Sequence, residues 1–354
     1  MNNTRLLKAL AREPVDRAPM WLMRQAGRYL PEYQALRKTA KSFLTLCQTP
    51  ELAARATMQP IERYDQLDAA ILFSDILTVP DAMGLGLYFE EGIGPRFRYP
   101  VQSEAAVKKL FVPDPVEKLG YVLETIKLTK HAMQARQSGQ SGQSLGRTMP
   151  LIGFSGSPWT IAAYMIEGGP SKHFTMINRM RYARQDLLKQ ILSVLTNSLI
   201  CYLNAQIAAG VDCVMIFDTW GGVLSDQDYE TYSLSYLSTI LASLNQKIPT
   251  ILFTKNSGRS LEAMVKTGCS AVALDWTANI IQAQKTVGDR VALQGNIEPS
   301  ILYGSKAAIE NQVKNLFSGL NTKKGYIFNL GHGVYPDIDP EKVATLLSAV
   351  ERFG

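Results

Sequence analysis

The chain has little cysteine and less histidine, with four Cys and three His among 354 residues. Cys47, Cys201, Cys213 and Cys269 are scattered with no Cys-x-x-Cys pair, and Cys213 lies inside the apolar run Val211-Asp-Cys-Val-Met-Ile216. That pattern fits buried structural thiols and speaks against a disulfide framework or a zinc site. Three dispersed histidines are too few for a His-rich metal centre. No nucleotide or metal motif is present. The sequence also lacks an apolar run approaching the ~20 residues that span a bilayer, so no membrane partner is expected. It has no arginine-rich tract, zinc finger or basic-aromatic stripe, which leaves nucleic acid a weak candidate despite a formal charge of +6. A cleft that gathers cations for a polyanionic small molecule accounts for that excess equally well. Met1 to Glu13 mixes Lys, Arg and Glu without an apolar stretch, unlike a secretory signal, so the expected location is cytoplasmic.

What is there is ordinary globular composition, 46% hydrophobic and 19% charged, on a chain long enough for one large core or two ordinary ones. No linker divides it, so a single domain over 1–354 is expected. The one low-complexity piece, Gln137-Ser-Gly-Gln-Ser-Gly-Gln-Ser144, reads as a flexible polar loop. Apolar runs recur at Ala18–Met23, Asp68–Phe73, Pro150–Phe154, Val211–Phe217, Pro249–Phe253, Ser270–Leu274, Arg290–Leu293 and Gly325–Leu330. Near-continuous apolar runs mark parallel strands covered on both faces. Amphipathic helical stretches separate them, the longest at Ile177–Ala209 and Asp226–Gln246, with others at Ser257–Lys266, Asn279–Thr286, Ala307–Leu316 and Pro340–Arg352. Eight such strand–helix units predict an α/β fold, a single closed (β/α)8 TIM barrel, with a doubly wound open sheet as the alternative. Gly86 to Tyr99 alternates around a Gly-rich turn and predicts a β-hairpin inserted after the second strand.

Each run ends in a polar residue: Arg24, Ser74-Asp75, Ser155, Asp218-Thr219, Lys255, Asp275, Asn296 and His332. Barrel active sites collect at the carboxyl ends of the strands, so these side chains are expected to meet at one mouth. Arg24 and Arg28 stand out because guanidinium suits two-pronged recognition of a carboxylate or phosphate. A solvated surface loop explains the pair equally well. Asp75 sits between apolar neighbours, which is costly unless the carboxylate is paired, used, or caps a helix. Tyr164 follows the Gly/Ser/Pro turn Gly153-Phe-Ser-Gly-Ser-Pro-Trp-Thr160, which opens a helix whose first turn suits an anion. His332 lies between two glycines and can reach into a cleft at little steric cost, although a lone His is often structural.

Met23-Arg-Gln-Ala-Gly-Arg-Tyr-Leu-Pro-Glu-Tyr33, Phe73-Ser-Asp-Ile-Leu77, Gly153-Phe-Ser-Gly-Ser-Pro-Trp-Thr160, Tyr164-Met-Ile-Glu-Gly-Gly169 and Asn329-Leu-Gly-His-Gly333 together resemble the uroporphyrinogen decarboxylase family, and the resemblance runs from about residue 5 to the end. It implies a (β/α)8 barrel, a homodimer, and a reaction without metal or organic cofactor. The implied reaction removes carbon dioxide from the four acetates of uroporphyrinogen III and leaves coproporphyrinogen III. By the same resemblance the turn Arg24, Gln25, Ala26, Gly27 and Arg28 binds substrate carboxylates, and Asp75 lies under the pyrrole N–H groups. Tyr164, Thr219 and His332 touch substrate, with Thr219 standing where many members carry serine. Asp75, Arg24 and Arg28 are then the candidate catalytic residues.

The chemistry suits these groups. A flexible macrocycle with eight carboxylates needs several cations, Arg24 and Arg28 first, with Arg55, Arg63 and Lys255 as lesser candidates. Loss of carbon dioxide from a pyrrole acetate needs an electron sink, which the pyrrole supplies once protonated on carbon. An ionised Asp75 would stabilise that cation, and preorganised electrostatics of this kind is usually the largest catalytic term. A cobalamin- or zinc-dependent methyltransferase on a related barrel, and a non-catalytic porphyrin carrier, are the rival readings.

Overall fold

The computed structural model describes residues 4–137, 149–245, 248–256 and 258–354. Among them the strands are β1 (Ala70–Ile71), the hairpin strands β2 (Leu87–Glu90) and β3 (Gly94–Phe97), β4 (Leu151–Gly156), β5 (Cys213–Asp218), β6 (Thr250–Thr254), β7 (Ala271–Ala273), β8 (Ala292–Gln294) and β9 (Tyr326–Ile327). Seven of them form one parallel sheet in the order β1-β4-β5-β6-β7-β8-β9, each neighbour reached by a helical crossover. Every residue of β4 and of β6 is buried, as expected where helices cover one face and the barrel interior the other.

The first run closes the ring without forming a ladder. Met20 makes a single parallel bridge to Phe328, and the N–H of Asp68 donates to the Met20 carbonyl at 2.8 Å. The N–H of Phe328 donates to the Pro19 carbonyl, also at 2.8 Å. Pro19 has no N–H to extend the pairing. The side chain of Asp68 supplies the missing bonds. It is fully buried, accepts the Met20 N–H at 2.9 Å, and is held by Arg17 at 2.6 and 3.1 Å and by Arg5 at 3.1 Å. A buried carboxylate with this many partners is compensated, and removing one guanidinium would leave it with fewer partners against its desolvation penalty.

The expected helices are present with shifted ends. The stretch 177–209 is broken in two, Thr175–Ala183 and Gln185–Ala209, at Arg184, whose backbone is non-helical and whose guanidinium is occupied by Asp186 and Glu104. From Asp226 the chain is helical to Ala242 through a π-helical turn at Glu230–Leu234. Residues 246 and 257, at the ends of two expected helices, and 138–144 of the expected polar loop lie outside the described residues. One expectation needs correction. Gln185–Ala209 is long and apolar enough, by length and composition, to cross a bilayer. Its charged residues cluster in the first turn, and the remainder packs against β4, β5 and neighbouring helices as a barrel helix.

The hairpin is where the alternation placed it, with Leu87 opposite Phe97 and Glu90 opposite Gly94. It leans on the helix after β4: the N–H of Phe97 donates to Gly168 and that of Val101 to Met165. Phe89 packs edge-on against Phe43 at 4.6 Å between ring centroids. The hairpin therefore walls the carboxyl end of the barrel beside β1 and β4.

Candidate active site

Arg24 begins the site and has a left-handed backbone, φ 60°. That conformation is uncommon for a residue with a side chain and persists only where surroundings enforce it. Here the flanking atoms are tied down. The N–H of Met23 donates to Asn329 Oδ1 at 3.1 Å, and the Met23 carbonyl accepts the N–H of Val334 at 3.0 Å. Gln25 closes the turn from inside: its N–H donates to the Leu22 carbonyl, its Oε1 accepts the Leu22 N–H, and its Nε2 donates to the Ala69 carbonyl. The side chain of Gln25 is buried and fully occupied. Its place in the site is to hold the turn.

Beyond Gln25 the turn faces outward. The N–H groups of Ala26, Gly27 and Arg28 have no hydrogen-bond partner among the described residues, and Arg28 has no carboxylate partner there. Three adjacent free N–H groups beside two guanidiniums form a concavity suited to carboxylates. Arg24 is solvent-exposed, with protein packed around its guanidinium. The walls strip enough water from its guanidinium to lower its pKa, with Tyr164, Arg28 and Asp75 in electrostatic reach.

Asp75 follows β1. Its Oδ1 accepts the N–H of Leu77 at 2.7 Å, an Asx turn that shapes the loop without capping a helix. Its Oδ2 has no partner among the described residues. Removal from water pushes the carboxyl up to about 6, against the pull of the Leu77 N–H and of Arg24. Asp75 is thus ionised at neutral pH with one oxygen unspent.

Tyr164 sits on the helix Pro158–Glu167, which begins with Ser157 as N-cap and Pro158 in the first turn, as the sequence pattern indicates. Burial raises its hydroxyl pKa, and both Asp75 and Arg24 act on it. Its ring lies 6.3 Å from that of Trp220. Thr219, half-buried, leads into Trp220. His332 stacks edge-on to Phe253 at 6.0 Å across the barrel. Burial and the charges of Arg24 and Lys255 push its imidazole down to about 4, so it is neutral at physiological pH.

Not all strand-end polar residues face the mouth. Asp218 is fully buried in the wall and accepts hydroxyl bonds from Ser157, from Thr160 at 2.9 Å and from Ser233 at 2.6 Å, the last presented by the π-helical turn. Asp275, also buried, accepts the N–H of Asn256 at 2.8 Å and the hydroxyl of Thr277 at 2.6 Å. Asn296 donates to the carbonyls of Asp275 and Ala278. These three hold turns. Arg55 and Arg63 are likewise engaged, by Glu62 and Glu32 at 2.6 and 2.7 Å. The sequence reading missed the apolar floor: Phe154, Phe217 and Phe253 form an edge-to-face series with centroids 5.6 and 6.1 Å apart. Each is the last aromatic of its apolar run, a signal absorbed by the strand assignment.

Residues 1–353 match the sequence profile of the family described as uroporphyrinogen decarboxylase. The chain belongs to the uroporphyrinogen decarboxylase family. The uroporphyrinogen decarboxylase of Thioalkalivibrio sulfidiphilus is 52% identical, with 100% of this chain and 99% of that one aligned. That of Pectobacterium atrosepticum is also 52% identical, with 100% and 98% aligned. Among solved structures, a methyltransferase from Methanosarcina mazei superposes with a TM-score of 0.81 at 23% identity, over 99% of this chain and 98% of that one. At that identity the likeness speaks for the shared barrel alone. Among the described residues no group of three or more His, Cys, Asp or Glu side chains could hold a metal ion. In this chain the strand ends bring together a cationic turn at Arg24 and Arg28, the Asp75 carboxylate and the aromatic series Phe154, Phe217 and Phe253.

Proposed function

We propose that this protein decarboxylates the four acetate side chains of uroporphyrinogen III to methyl groups, giving coproporphyrinogen III in tetrapyrrole biosynthesis, and that residues 1–354 act as one catalytic domain. Full-length family membership supports the reaction. The observation that carries the mechanism is the unspent oxygen of Asp75, desolvated and in reach of Arg24 and Tyr164.

In this reading Arg24, Arg28 and the N–H groups of Ala26, Gly27 and Arg28 bind substrate carboxylates, each desolvated charge-assisted bond being worth about 1.5–3 kcal/mol. The pyrrole N–H groups point at Asp75, and a ring face lies over the half-buried Phe217, which Phe154 and Phe253 support from behind. Protonation of a pyrrole carbon makes the ring cationic, and Asp75 stabilises that charge as it forms. The electron pair of the bond to the acetate carboxylate then flows into the ring, carbon dioxide leaves, and the exocyclic methylene takes a proton to become methyl as the ring carbon loses its own. One proton is consumed for each carbon dioxide released. Arg24 and Arg28 border the place where that proton is needed, but an arginine is a poor acid near neutral pH, so their first role is binding. Tyr164, Thr219 and neutral His332 offer uncharged hydrogen bonds to the same substrate. The family resemblance supports a cytoplasmic homodimer that uses no cofactor.

The test is anaerobic incubation of purified protein with enzymatically made uroporphyrinogen III. Stepwise appearance of species with seven, six, five and four carboxylates supports the reading. Binding of the macrocycle without loss of carbon dioxide would instead make the protein a carrier.

A further inference from the structure

Resting on that reading, we propose that Lys255 is a second carboxylate anchor of the site, gripping a propionate of the macrocycle on the wall that faces Arg24. Lys255 follows β6, the fifth stave of the ring counted from the run that ends in Arg24, and so stands across the mouth from it. His332, whose ring packs on Phe253 two residues before Lys255, feels the charges of both Arg24 and Lys255, which places the two cations on one lining.

The ammonium is held but not neutralised. Lys255 is half-buried, its Nζ lies 5.8 Å from the centroid of the Trp276 ring, and it has no carboxylate partner among the described residues. The acid built into the same wall, Asp275, has both oxygens occupied, by the Asn256 N–H and by the Thr277 N–H and hydroxyl. The backbone beneath is fixed from two sides. The Asn256 N–H is anchored on Asp275, and the glycine turn after β5 lies so close that a Cβ on Gly222 would overlap the Lys255 carbonyl. On its flexible stem the ammonium can meet an anionic ligand as a compact point charge. Lys108 and Lys118, on the outer surface, pair instead with Glu104 and Glu117.

The chemistry chooses propionate. Acetates disappear one by one and become methyl groups, whereas the four propionates persist through every round. A cation far from Asp75 can grip substrate, intermediates and product alike only through a group that all of them carry. Arg24 and Arg28 then hold the reacting side, and Lys255 fixes the opposite side of the ring as it is re-presented.

The test compares wild type, Lys255→Met and Lys255→Arg in steady-state turnover of uroporphyrinogen, in inhibition by coproporphyrinogen, and in direct equilibrium binding of both. Expected for Lys255→Met is a KM raised about 10- to 100-fold, the loss of one charge-assisted bond, with kcat within about threefold. The inhibition and dissociation constants of coproporphyrinogen should rise by a similar factor, Lys255→Arg should restore all of them to within about threefold, and the melting temperature should stay within about 2 °C. Unchanged KM and product binding would overturn the proposal. So would a raised KM with unchanged coproporphyrinogen binding, which would assign Lys255 to an acetate. A fall in melting temperature without rescue by arginine would make the residue structural. A wild type that binds both macrocycles but turns neither over would refute the decarboxylase reading while the binding arm still judges Lys255.

Discussion

The side chain of Arg24 occupies the space that a side chain on Gly333 would need: a Cβ at Gly333 would stand 2.6 Å from Arg24 Cγ and 3.0 Å from Nε. The glycine after His332 is therefore a packing partner of the first cation, not merely a flexible hinge. Gly333→Ala should displace the guanidinium from the mouth while leaving the barrel intact. The expected result is a kcat/KM at least about tenfold lower with a melting temperature within about 5 °C of wild type. Activity assay and thermal melt on the same preparation check it.

Asp75→Asn should keep the hydrogen bond to the Leu77 N–H, since the amide oxygen still accepts, but lose the negative charge that the proposed mechanism sets under the pyrroles. Activity should fall at least about 100-fold. Stability should move the other way. Burial raises the Asp75 pKa from the ordinary 3.8 to about 6. The folded state thus binds the proton more tightly than the unfolded one, so stability is lost as pH rises through that window and the cost is complete above it. Partial solvent access reduces that cost to about 1–2 kcal/mol. Asp75→Asn should therefore melt about 2–4 °C higher than wild type at pH 8, and the difference should vanish near pH 4. Melts at the two pH values decide it.

The same carboxyl sets a pH profile. Protonation of Asp75 below about 6 removes the stabilising anion, so kcat/KM should fall on the acid side with a midpoint near 6. His332, held down near 4, is neutral across that range and does not contribute. His332→Asn should therefore keep the midpoint even if it lowers the rate. A limb that shifts or disappears in His332→Asn would assign the titration to the imidazole.

Gln25 and Arg28 occupy one turn with opposite duties, and substitution should separate them. Gln25→Leu leaves the buried Leu22 N–H and Ala69 carbonyl without partners, each costing about 1–3 kcal/mol, so the melting temperature should fall markedly. Arg28→Ala removes an exposed side chain with no ion pair among the described residues. It should melt within about 2 °C of wild type and weaken uroporphyrinogen binding about tenfold or more. Equal melting temperatures for the two variants would contradict this division.

Much of the architecture was readable from local pattern. The apolar runs from Pro150 onward each contain a strand, because a strand covered on both faces must be apolar at every position. The hairpin at 87–97 and the capped helix at Pro158 followed from turn and cap chemistry that operates within a few residues. The first run has the pattern of a full stave but is a single bridge, because its pairing depends on Phe328 and on the Asp68 carboxylate, both remote in sequence. The break at Arg184 was invisible for a similar reason: it is stabilised in part by Glu104.

By itself the sequence determined the alternation that makes a parallel barrel, the cationic turn at Arg24 and Arg28, and the presence of Asp75 at a strand end. Those features depend on side-chain period and on neighbours along the chain. Only the tertiary structure decided which polar strand ends serve the mouth. Asp218 and Asp275 look like Asp75 in sequence, yet hydroxyls and N–H groups from other segments turn them into the wall, whereas one Asp75 oxygen has no partner among the described residues. Arg55 and Arg63 are paired away, while Arg28 and Lys255 have no carboxylate partner among the described residues. The direction of a polar side chain is set by where its partners lie, and in this fold those partners arrive from distant parts of the chain.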